Sequence, residues 1–374
     1  MSQKKLMVII GTRPEAVKLA PVIFAARARP DRFQITIVRT SQHKEMLDQM
    51  MKVFDIEADI DLDIMQANQD LVHVTNASLR GLYDAMQSQR PDWVIVQGDT
   101  TTTFAGALAA FYHKIPVAHV EAGLRTGDRY QPFPEEINRS LTARLAEMHF
   151  PPTEGAKQNL LREGVDPSRI LVTGNTSIDA LFWILARAGK SKTKLDKLYK
   201  KANKPRNILV TAHRRENHGE PIGDVCRALL EILDRYPDVE VTFPVHLSPR
   251  VRETVMPLLG QHPRVALVEP LDYEEFVFAM DKATLILTDS GGVQEEAPSL
   301  GKPVLVLREN TERPEAAAAG VAILVGTDRA RIVNTVSNLL DNQDAYNAMS
   351  QVINPFGDGY AAERILDALF TLNA

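Results

Sequence analysis

The sequence contains a single cysteine, Cys226, and can therefore form no internal disulfide and no cysteine-based metal cluster. Cys226 stands beside Val225 and Leu229 in a helix predicted over residues 223–236, a setting typical of a buried, unreactive thiol. The sequence also lacks an HExxH motif and any close pair of histidines. We therefore expect no metal site.

Long apolar runs are also missing. The N-terminal run at residues 6–10 is too short for a signal peptide, and the longest run, residues 316–326, cannot span a bilayer. We expect a cytoplasmic protein without membrane insertion. The net charge of -5 gives no support for nucleic-acid binding. The 374 residues, of which 44% are hydrophobic and 24% charged, are typical of a soluble globular protein with room for two domains.

Short apolar runs alternate with helical patterns along most of the chain. The runs are mostly continuous, which is typical of parallel strands covered on both faces. Strands are predicted at residues 6–10, 35–39, 93–97, 117–121, 208–211, 239–244, 265–268, 285–288 and 304–307. Predicted helices between them include residues 102–112, 137–147 and 274–280. This alternation predicts an α/β fold with parallel sheets and right-handed crossovers.

The alternation stops at a lysine-rich segment, RAGKSKTKLDKLYKKANKPR, at residues 187–206. We interpret this segment as a solvated linker or surface helix rather than as a polyanion-binding patch. It divides the chain into two halves of comparable size, and each half begins its own series of strands. The sequence therefore predicts two Rossmann-like domains that face a central cleft.

Charged residues follow several predicted strands of the first half. Parallel sheets bind ligands at the carboxyl ends of their strands, which is where these residues lie. After the first strand, Gly11 and Pro14 predict a turn into a helix whose N-terminus would attract an anion, with Arg13 and Lys18 beside it. Asp99 follows residues 93–97. We expect this end of the sheet to bind a ligand.

Two further carboxylates belong to the same half. Glu121 ends the predicted strand 117–121, where a carboxylate is costly unless it is paired or used in chemistry. Glu135 and Arg139 have i,i+4 spacing on a predicted helix, which allows either a plain helix ion pair or a functional pair.

The second half shows a cationic strand end and a glycine turn. His213 is followed by two arginines, and the stretch TDSGGVQEE occupies residues 288–296. The turn at 290–292 would expose backbone N–H groups to phosphate at a helix N-terminus. A carboxylate there would repel phosphate but accept hydrogen bonds from sugar hydroxyls. We therefore predict a nucleotide ligand whose ribose is bound by Glu296, with Glu295 facing solvent.

Two short motifs are interpreted as structural. GDGYAA at residues 357–362 matches the dinucleotide pattern GxGxxA, but no strand is predicted before it, so we expect no NAD site. Asp59, Asp61 and Asp63 alternate with apolar residues, which indicates an exposed segment over a core rather than a metal-binding DxD motif.

Six segments resemble the non-hydrolysing UDP-N-acetylglucosamine 2-epimerases: GTRPEA, GDTTTT, HVEAGLRTG, TAHRREN, TDSGGVQEEAPSLGKPVLVLR and TERPEA. The resemblance extends from about residue 7 to 361. It implies a GT-B type fold with a first domain at 1–186, a UDP-binding domain at 207–355 and a C-terminal helix, 356–374, returning to the first domain. It also implies a homodimer that interconverts UDP-N-acetylglucosamine and UDP-N-acetylmannosamine for cell-surface polysaccharide synthesis.

The resemblance also implies roles for individual residues. Those expected to contact the nucleotide sugar are Arg13, Lys18, Asp99, Glu121, His213, Phe276, Ser290, Gly291, Gly292, Glu296 and Arg313. Those implicated in catalysis are Asp99, Glu121, Glu135, Arg139 and His213. The backbone near Leu271, together with Phe276, is expected to hold uracil.

The reaction must break a C–H bond at C2 of the sugar without an adjacent carbonyl. Because the sequence shows no credible NAD site, we expect UDP to be expelled from C1 as the C2 proton leaves, and the resulting glucal to be re-protonated on its other face. This route needs no cofactor, but it needs carboxylate acid/bases and a cationic clamp on UDP. Which carboxylate removes the proton and which returns it stays open.

Bacterial relatives are expected to bind a second UDP-N-acetylglucosamine as an activator. The matching residues are Gln42, Glu135, Arg214 and His246. Glu45 and Asn68 stand where some relatives carry Gln and Arg, which predicts weaker activator binding here.

Three alternatives stay open: a glycosyltransferase of the same fold, a hydrolysing epimerase, and a nucleotide-sugar sensor without activity. The three carboxylates Asp99, Glu121 and Glu135 argue against a sensor, because binding alone does not require them.

Overall fold

The computed structural model describes residues 3–42, 44–188 and 206–372. Its contacts separate into two units, one formed by Met1–Trp183 with Phe356–Ala374 and the other by Ile184–Pro355. Of the expected linker at 187–206, residues 189–205 lie outside the described residues. Each unit is an α/β structure with one parallel sheet, and each is described by itself below.

The first unit contains a six-stranded parallel sheet in the order β3-β2-β1-β4-β5-β6. Its strands are β1 Lys4–Ile10, β2 Phe33–Arg39, β3 Ile60–Asp61, β4 Trp93–Gln97, β5 Val117–Val120 and β6 Met148–Phe150. Its helices are α1 Arg13–Arg27, α2 Lys44–Val53, α3 Leu71–Gln89, α4 Thr101–Tyr112, α5 Glu135–Leu145, α6 Glu154–Arg162 and α7 Thr176–Ala188, with α15 Ala361–Thr371 at the end of the chain. This is the Rossmann strand order.

The second unit repeats that order. Its parallel sheet runs β12-β11-β10-β7-β8-β9. Its strands are β7 Arg206–Thr211, β8 Val239–Pro244, β9 Val265–Val268, β10 Leu285–Thr288, β11 Val304–Val306 and β12 Ala322–Leu324. Its helices are α8 Glu220–Arg235, α9 Pro249–Leu259, α10 Tyr273–Lys282, α11 Gly291–Glu296, α12 Pro314–Ala318, α13 Arg329–Asp341 and α14 Gln343–Ser350. The predicted fold class, with two Rossmann-like domains, is confirmed.

Continuous apolar strands form the core of each unit. Residues 6–10 of β1 and all of β4 are buried, because helices cover the sheet on both faces. The thiol of Cys226 on α8 lies in the core of the second unit, and burial raises its pKa to about 12. This confirms the predicted unreactive cysteine.

The final helix, α15, returns to the first unit, as predicted. It packs against α1, and Arg29, which follows the end of α1, forms ion pairs with Glu363 and Asp367. Its first turn has no cap from its own side chains; instead Asp179 of α7 accepts a hydrogen bond of 2.8 Å from the N–H of Ala362. An acceptor from a neighbouring helix thus satisfies a donor that the helix cannot satisfy itself.

In a sheet of this order, ligands bind where the strand order reverses. In the first unit the reversal lies between β1 and β4, and in the second between β7 and β10. The loops after these four strands begin with residues 11, 98, 212 and 289. They carry Asp99, His213, Arg214 and Ser290, and two of them lead into the helices that begin with Arg13 and Gly291.

Candidate functional site

Glu121 is the first residue after β5, because the strand ends at Val120, one residue earlier than predicted. Its backbone is in the left-handed region, with a φ of 59°, which is uncommon for a residue with a side chain. The residue is 7% exposed, and Nζ of Lys18 lies 2.5 and 2.6 Å from its two carboxylate oxygens. The buried carboxylate is therefore paired, as the cost of burying an unpaired charge requires.

Two amide side chains also contact this carboxylate. Gln97, the last residue of β4, donates to Oε2, and Asn175, just before α7, donates to Oε1 at 3.2 Å. Both amides are almost completely buried. Neither residue is recognisable from the sequence, because both lie far from Glu121 along the chain and no motif joins them to it.

Asp99 begins the loop after β4 and pairs with the guanidinium of Arg139 from α5. Burial raises the pKa of Asp99 above its ordinary value, although Arg139 acts in the opposite direction. The side chain of Asn138 donates to the carbonyl of Asp99 at 3.0 Å and fixes this loop to α5. Asp99 therefore keeps a proton at higher pH than an ordinary aspartate does.

Arg139 does not pair with Glu135, so the helix ion pair considered for these residues is not formed. Arg139 instead reaches Asp99 and, at 3.4 Å, Glu136 at i,i+3. Glu136 is buried and also accepts the N–H groups of Thr126 and Gly127 at 3.0–3.1 Å. Glu136 thus accepts hydrogen bonds from this loop and is also a counter-ion of Arg139.

Glu135 is the first residue of α5, and one of its two carboxylate oxygens makes no contact of this kind within the described residues. Its Oε2 is buried and has no hydrogen-bond partner among the described residues. A carboxylate oxygen that no described residue engages is a candidate base.

The turn after β1 is held by a carboxylate of α1. The buried carboxylate of Glu15 accepts the N–H groups of Gly11 and Thr12, both at 2.7 Å. Its other oxygen accepts the hydroxyls of Thr100 and Thr103 from the loop and helix after β4. Glu15 therefore engages the two N–H groups that precede α1, which the sequence pattern did not predict. The binding of an external anion at the start of α1 stays a prediction.

Arg13 and Lys18, nominated with that turn, are both residues of α1. Arg13 is exposed, and no ion pair of its side chain occurs within the described residues. Lys18 is partly buried and points at Glu121. Of the two cations, only Lys18 touches a catalytic candidate.

In the second unit, His213 follows β7 and is oriented by an aspartate. Its Nδ1 lies 3.1 Å from Oδ1 of Asp289, which follows β10 and is fully buried. Oδ2 of Asp289 accepts the N–H groups of His213 and Arg214, both at 2.8 Å. Burial alone would raise the pKa of Asp289, but these hydrogen bonds outweigh it and lower the pKa below its ordinary value. Asp289 lies within the motif TDSGGVQEE, and nothing in the sequence pattern assigns it this role.

The glycine turn 290–292 lies at the start of α11. Gly291 is partly buried and Gly292 is exposed, and a Cβ on Gly291 would lie 3.9 Å from the guanidinium of Arg313. A cation and backbone N–H groups therefore occur together at the end of β10, an arrangement that suits phosphate.

Glu295 is buried, with 3% exposure, and pairs with Arg313, so the expectation that it faces solvent was wrong. A helix of only six residues shows too little periodicity to tell its buried face from its exposed face. The neighbouring Glu296 is partly buried, and its charge adds to the effect of burial in raising the pKa of Tyr273 well above the ordinary value. Leu271 precedes α10 and Phe276 lies within it, both half-buried.

The residues nominated for an activator belong to both units. In the first, the side-chain oxygen of Gln42 accepts the hydroxyl of Thr102 at 3.0 Å. In the second, Arg214 is half-buried, and the exposed ring of His246 stacks on His213 with centroids 5.8 Å apart. Burial and the neighbouring His213 lower the pKa of His246.

The two motifs interpreted as structural have structural partners. Asp61 pairs with Arg39 and accepts the Ser41 hydroxyl, and the half-buried Ile60 packs on the core. GDGYAA leads into α15, and the preceding described element is a helix, α14. Over the described ranges, no helix is both long and apolar enough to cross a bilayer.

Comparisons with known proteins agree on one family. A sequence model of the UDP-N-acetylglucosamine 2-epimerase family matches residues 25–370. The chain is 52% identical over 371 residues to the UDP-N-acetylglucosamine 2-epimerase of Escherichia coli O157:H7, and 51% identical over 370 residues to that of Yersinia pestis; each alignment covers 98% of both chains. The crystal structure of UDP-GlcNAc 2-epimerase from Neisseria meningitidis bound to UDP-GlcNAc matches with a TM-score of 0.85 and 46% identity, covering 98% of this chain and 100% of that one.

Proposed function

The chain belongs to the UDP-N-acetylglucosamine 2-epimerase family, and we propose that it interconverts UDP-N-acetylglucosamine and UDP-N-acetylmannosamine by inversion at C2. One observation in the structure itself supports the proposal. Asp99 and Glu121 follow the neighbouring strands β4 and β5, and their carboxylates lie in different environments. Burial raises the pKa of Asp99, whereas Glu121 is surrounded by N–H donors. Two carboxylates in different environments are suited to separate acid and base roles.

The proposed reaction proceeds by elimination and re-addition. A carboxylate takes the C2 proton while the C1–O bond breaks, and the bonding electrons leave with UDP, so that a glucal forms. UDP then attacks C1 again as a proton is delivered to the opposite face of C2. The raised pKa of Asp99 supports it as a proton carrier, and the buried Oε2 of Glu135, which no described residue engages, supports that residue as a second one. Arg139 keeps the Asp99 carboxylate in place.

The second unit would hold the UDP moiety. In this proposal the turn 290–292 and Arg313 bind the diphosphate, and His213 stabilises the charge that develops on the leaving phosphate. Glu296 accepts the ribose hydroxyls, and the backbone near Leu271 with the ring of Phe276 holds uracil. The proximity of Arg313 to Gly291 and the orientation of His213 by Asp289 support these assignments.

Four broader expectations accompany the proposal. We propose that the enzyme is cytoplasmic, acts as a homodimer, supplies cell-surface polysaccharide synthesis, and responds to a second UDP-N-acetylglucosamine through Gln42, Glu135, Arg214 and His246. The stacking of His246 on His213 supports the last point, because a ligand on one ring would affect the other.

Incubating the purified protein with UDP-N-acetylglucosamine in D₂O, followed by NMR, tests the function and the route together. The expected result is equilibration with the manno epimer and entry of deuterium at C2, with EDTA present and NAD removed. Retention of the original C2 hydrogen would contradict elimination. Release of free N-acetylmannosamine with UDP would indicate a hydrolysing enzyme, and no change would leave a glycosyltransferase or a sensor.

Glu121→Gln is the matched variant for this assay. Loss of one acid–base group lowers turnover by ~10²–10⁴-fold, whereas UDP binding should persist because the proposed UDP contacts lie on the second unit. Asp238→Asn, which removes a carboxylate from an exposed ion pair with Arg206, is the control and should react like the wild type.

A further inference from the structure

The carboxylate of Glu121 is held from several sides by nitrogen donors. Lys18 contacts both oxygens, Gln97 donates to Oε2 and Asn175 donates to Oε1. A carboxylate accepts about four hydrogen bonds. These contacts therefore fix the rotation of the carboxylate as well as its position, which a single ion pair with a flexible lysine would not do.

Asn175 is placed to act on Glu121 by contacts that fix its own amide. It is 2% exposed, and its Oδ1 accepts the N–H of Ser177 at 3.0 Å in the first turn of α7. This hydrogen bond defines which end of the amide is oxygen, so Nδ2 must face Glu121. Asn175 is thus the cap of α7 and a donor to Glu121 at the same time.

The backbone of Asn175 is fixed by the returning end of the chain. Its N–H donates to the carbonyl of Phe356 at 2.6 Å, where the chain re-enters the first unit. The neighbouring Gly174 has a φ of +87°, and a Cβ there would lie 3.0 Å from Cα of Gly357. Only glycine allows this close approach of the two backbones.

Gln97 supports the opposite oxygen from a rigid position. It is the last residue of β4, 3% exposed, and its backbone pairs with β5 in register with Val120, the residue before Glu121. The two amides therefore approach Glu121 from a central strand and from a helix start, both of which are held by backbone hydrogen bonds.

We propose that Asn175 and Gln97 are positioning residues that hold the carboxylate of Glu121 in its reactive orientation. The inference rests on the proposed function for its kinetic consequences. Neither amide needs to touch the sugar. Each acts through Glu121, whose carboxylate it contacts directly. A misplacement of about 1 Å at a reacting group can cost ~10²-fold in rate.

Asn175→Ser is the first test variant. Serine is a good N-cap and preserves α7, but its side chain is too short to reach Glu121. We expect kcat to fall about 10–100-fold with KM within about threefold of the wild type, because orientation of the base and not substrate affinity is lost. In a Glu121→Gln background, Asn175→Ser should lower kcat by less than about twofold, because the carboxylate that Asn175 positions is already absent.

Asp328→Ala is the control for a purely structural effect. Asp328 caps α13 in the second unit by accepting the N–H of Arg331 at 2.7 Å, and it contacts none of the nominated residues. Its loss should lower the unfolding temperature without changing kcat. Gln97→Met, which keeps the length of the side chain but removes its donor, is the second test variant if Asn175→Ser does not fold.

A crystal structure of Asn175→Ser, or of Gln97→Met in its place, gives a readout that does not depend on activity. We expect the Glu121 carboxylate to rotate or to occupy more than one conformer. If the wild type does not epimerise UDP-N-acetylglucosamine, the proposed function fails, while this structure still decides the positioning role. The inference would be overturned if Glu121 kept its original position in the test variant and kcat fell no more than in Asp328→Ala.

Discussion

The carboxylate of Asp289 lies 3.1 Å from Nδ1 of His213, with the aspartate fully buried and the histidine side chain 43% exposed. A carboxylate at this distance favours the imidazole tautomer with its proton on Nδ1, which leaves Nε2 available for another partner. Asp289 is itself kept ionised by the N–H groups it accepts, which lower its pKa.

We therefore expect Asp289→Asn to lower kcat by about tenfold or more, since the amide keeps the size of the side chain but loses the charge that sets the histidine proton. Steady-state kinetics with UDP-N-acetylglucosamine measure the effect, with His213→Ala as the matched variant. If the two residues act as a unit, the double variant should be no slower than His213→Ala alone. Independent, multiplying losses would contradict the coupling.

The adjacent residues Glu295 and Glu296 provide a second matched pair. Glu296→Ala removes the proposed ribose acceptor and should weaken UDP binding by ~1–3 kcal/mol, with little change in stability. Glu295→Ala removes the partner of Arg313 from a buried site and should lower the unfolding temperature clearly. Calorimetric titration with UDP and thermal unfolding separate these effects. An unchanged UDP affinity in Glu296→Ala would show that the ribose is bound elsewhere.

The sequence predicted the fold and the loops of the site, but not the contacts inside it. Buried strands in an α/β fold are continuous apolar runs, and the charged residues after them stand out. Polar partners such as Asn175 and Asp289 do not stand out, because they lie 54 and 76 residues from the groups they contact. The cap formed by Glu15 was missed for a different reason: a helix with an acidic residue in its first turn gives the same pattern whether or not it binds an external anion.

Kinetics in both directions test the proposed activator. We expect sigmoidal dependence of the forward rate on UDP-N-acetylglucosamine, and little reverse reaction from UDP-N-acetylmannosamine until a trace of the gluco epimer is added. A ligand that binds one conformational state more tightly raises its population, which produces this behaviour. His246→Ala should weaken the response. A hyperbolic forward curve with an immediate reverse reaction would show that the chain lacks the activator site.

The buried histidines His119 and His149 should make the stability of the protein depend on pH. They are neighbours in register on β5 and β6 and are almost completely buried. Burial lowers the pKa of His119 to about 4 and that of His149 to about 3. His119 also contacts the carbonyl of Gly98 through Nε2 at 2.7 Å, which fits a neutral ring with its proton on that nitrogen.

Because both pKa values are lower in the folded state than the ordinary 6.5, the unfolded chain takes up protons first as the pH falls. Stability is therefore lost from about pH 6.5 downwards, by about 1.4 kcal/mol for each pH unit and each histidine until the folded value is reached. Carboxylates whose pKa is raised, such as Asp99, act in the opposite sense, so the wild type alone does not isolate the histidines.

Urea unfolding of the wild type and of His149→Leu at pH 7.5 and pH 5 isolates the effect of His149, since the carboxylates are common to both proteins. We expect the free energy of unfolding to fall less in the variant between the two pH values, by about 2 kcal/mol. The control variant is Cys226→Ala, which changes the core of the second unit. The thiol of Cys226 does not titrate between pH 5 and pH 7.5, so this variant should keep the pH dependence of the wild type. Parallel pH dependence in the wild type and His149→Leu would show that His149 is already protonated in the folded protein.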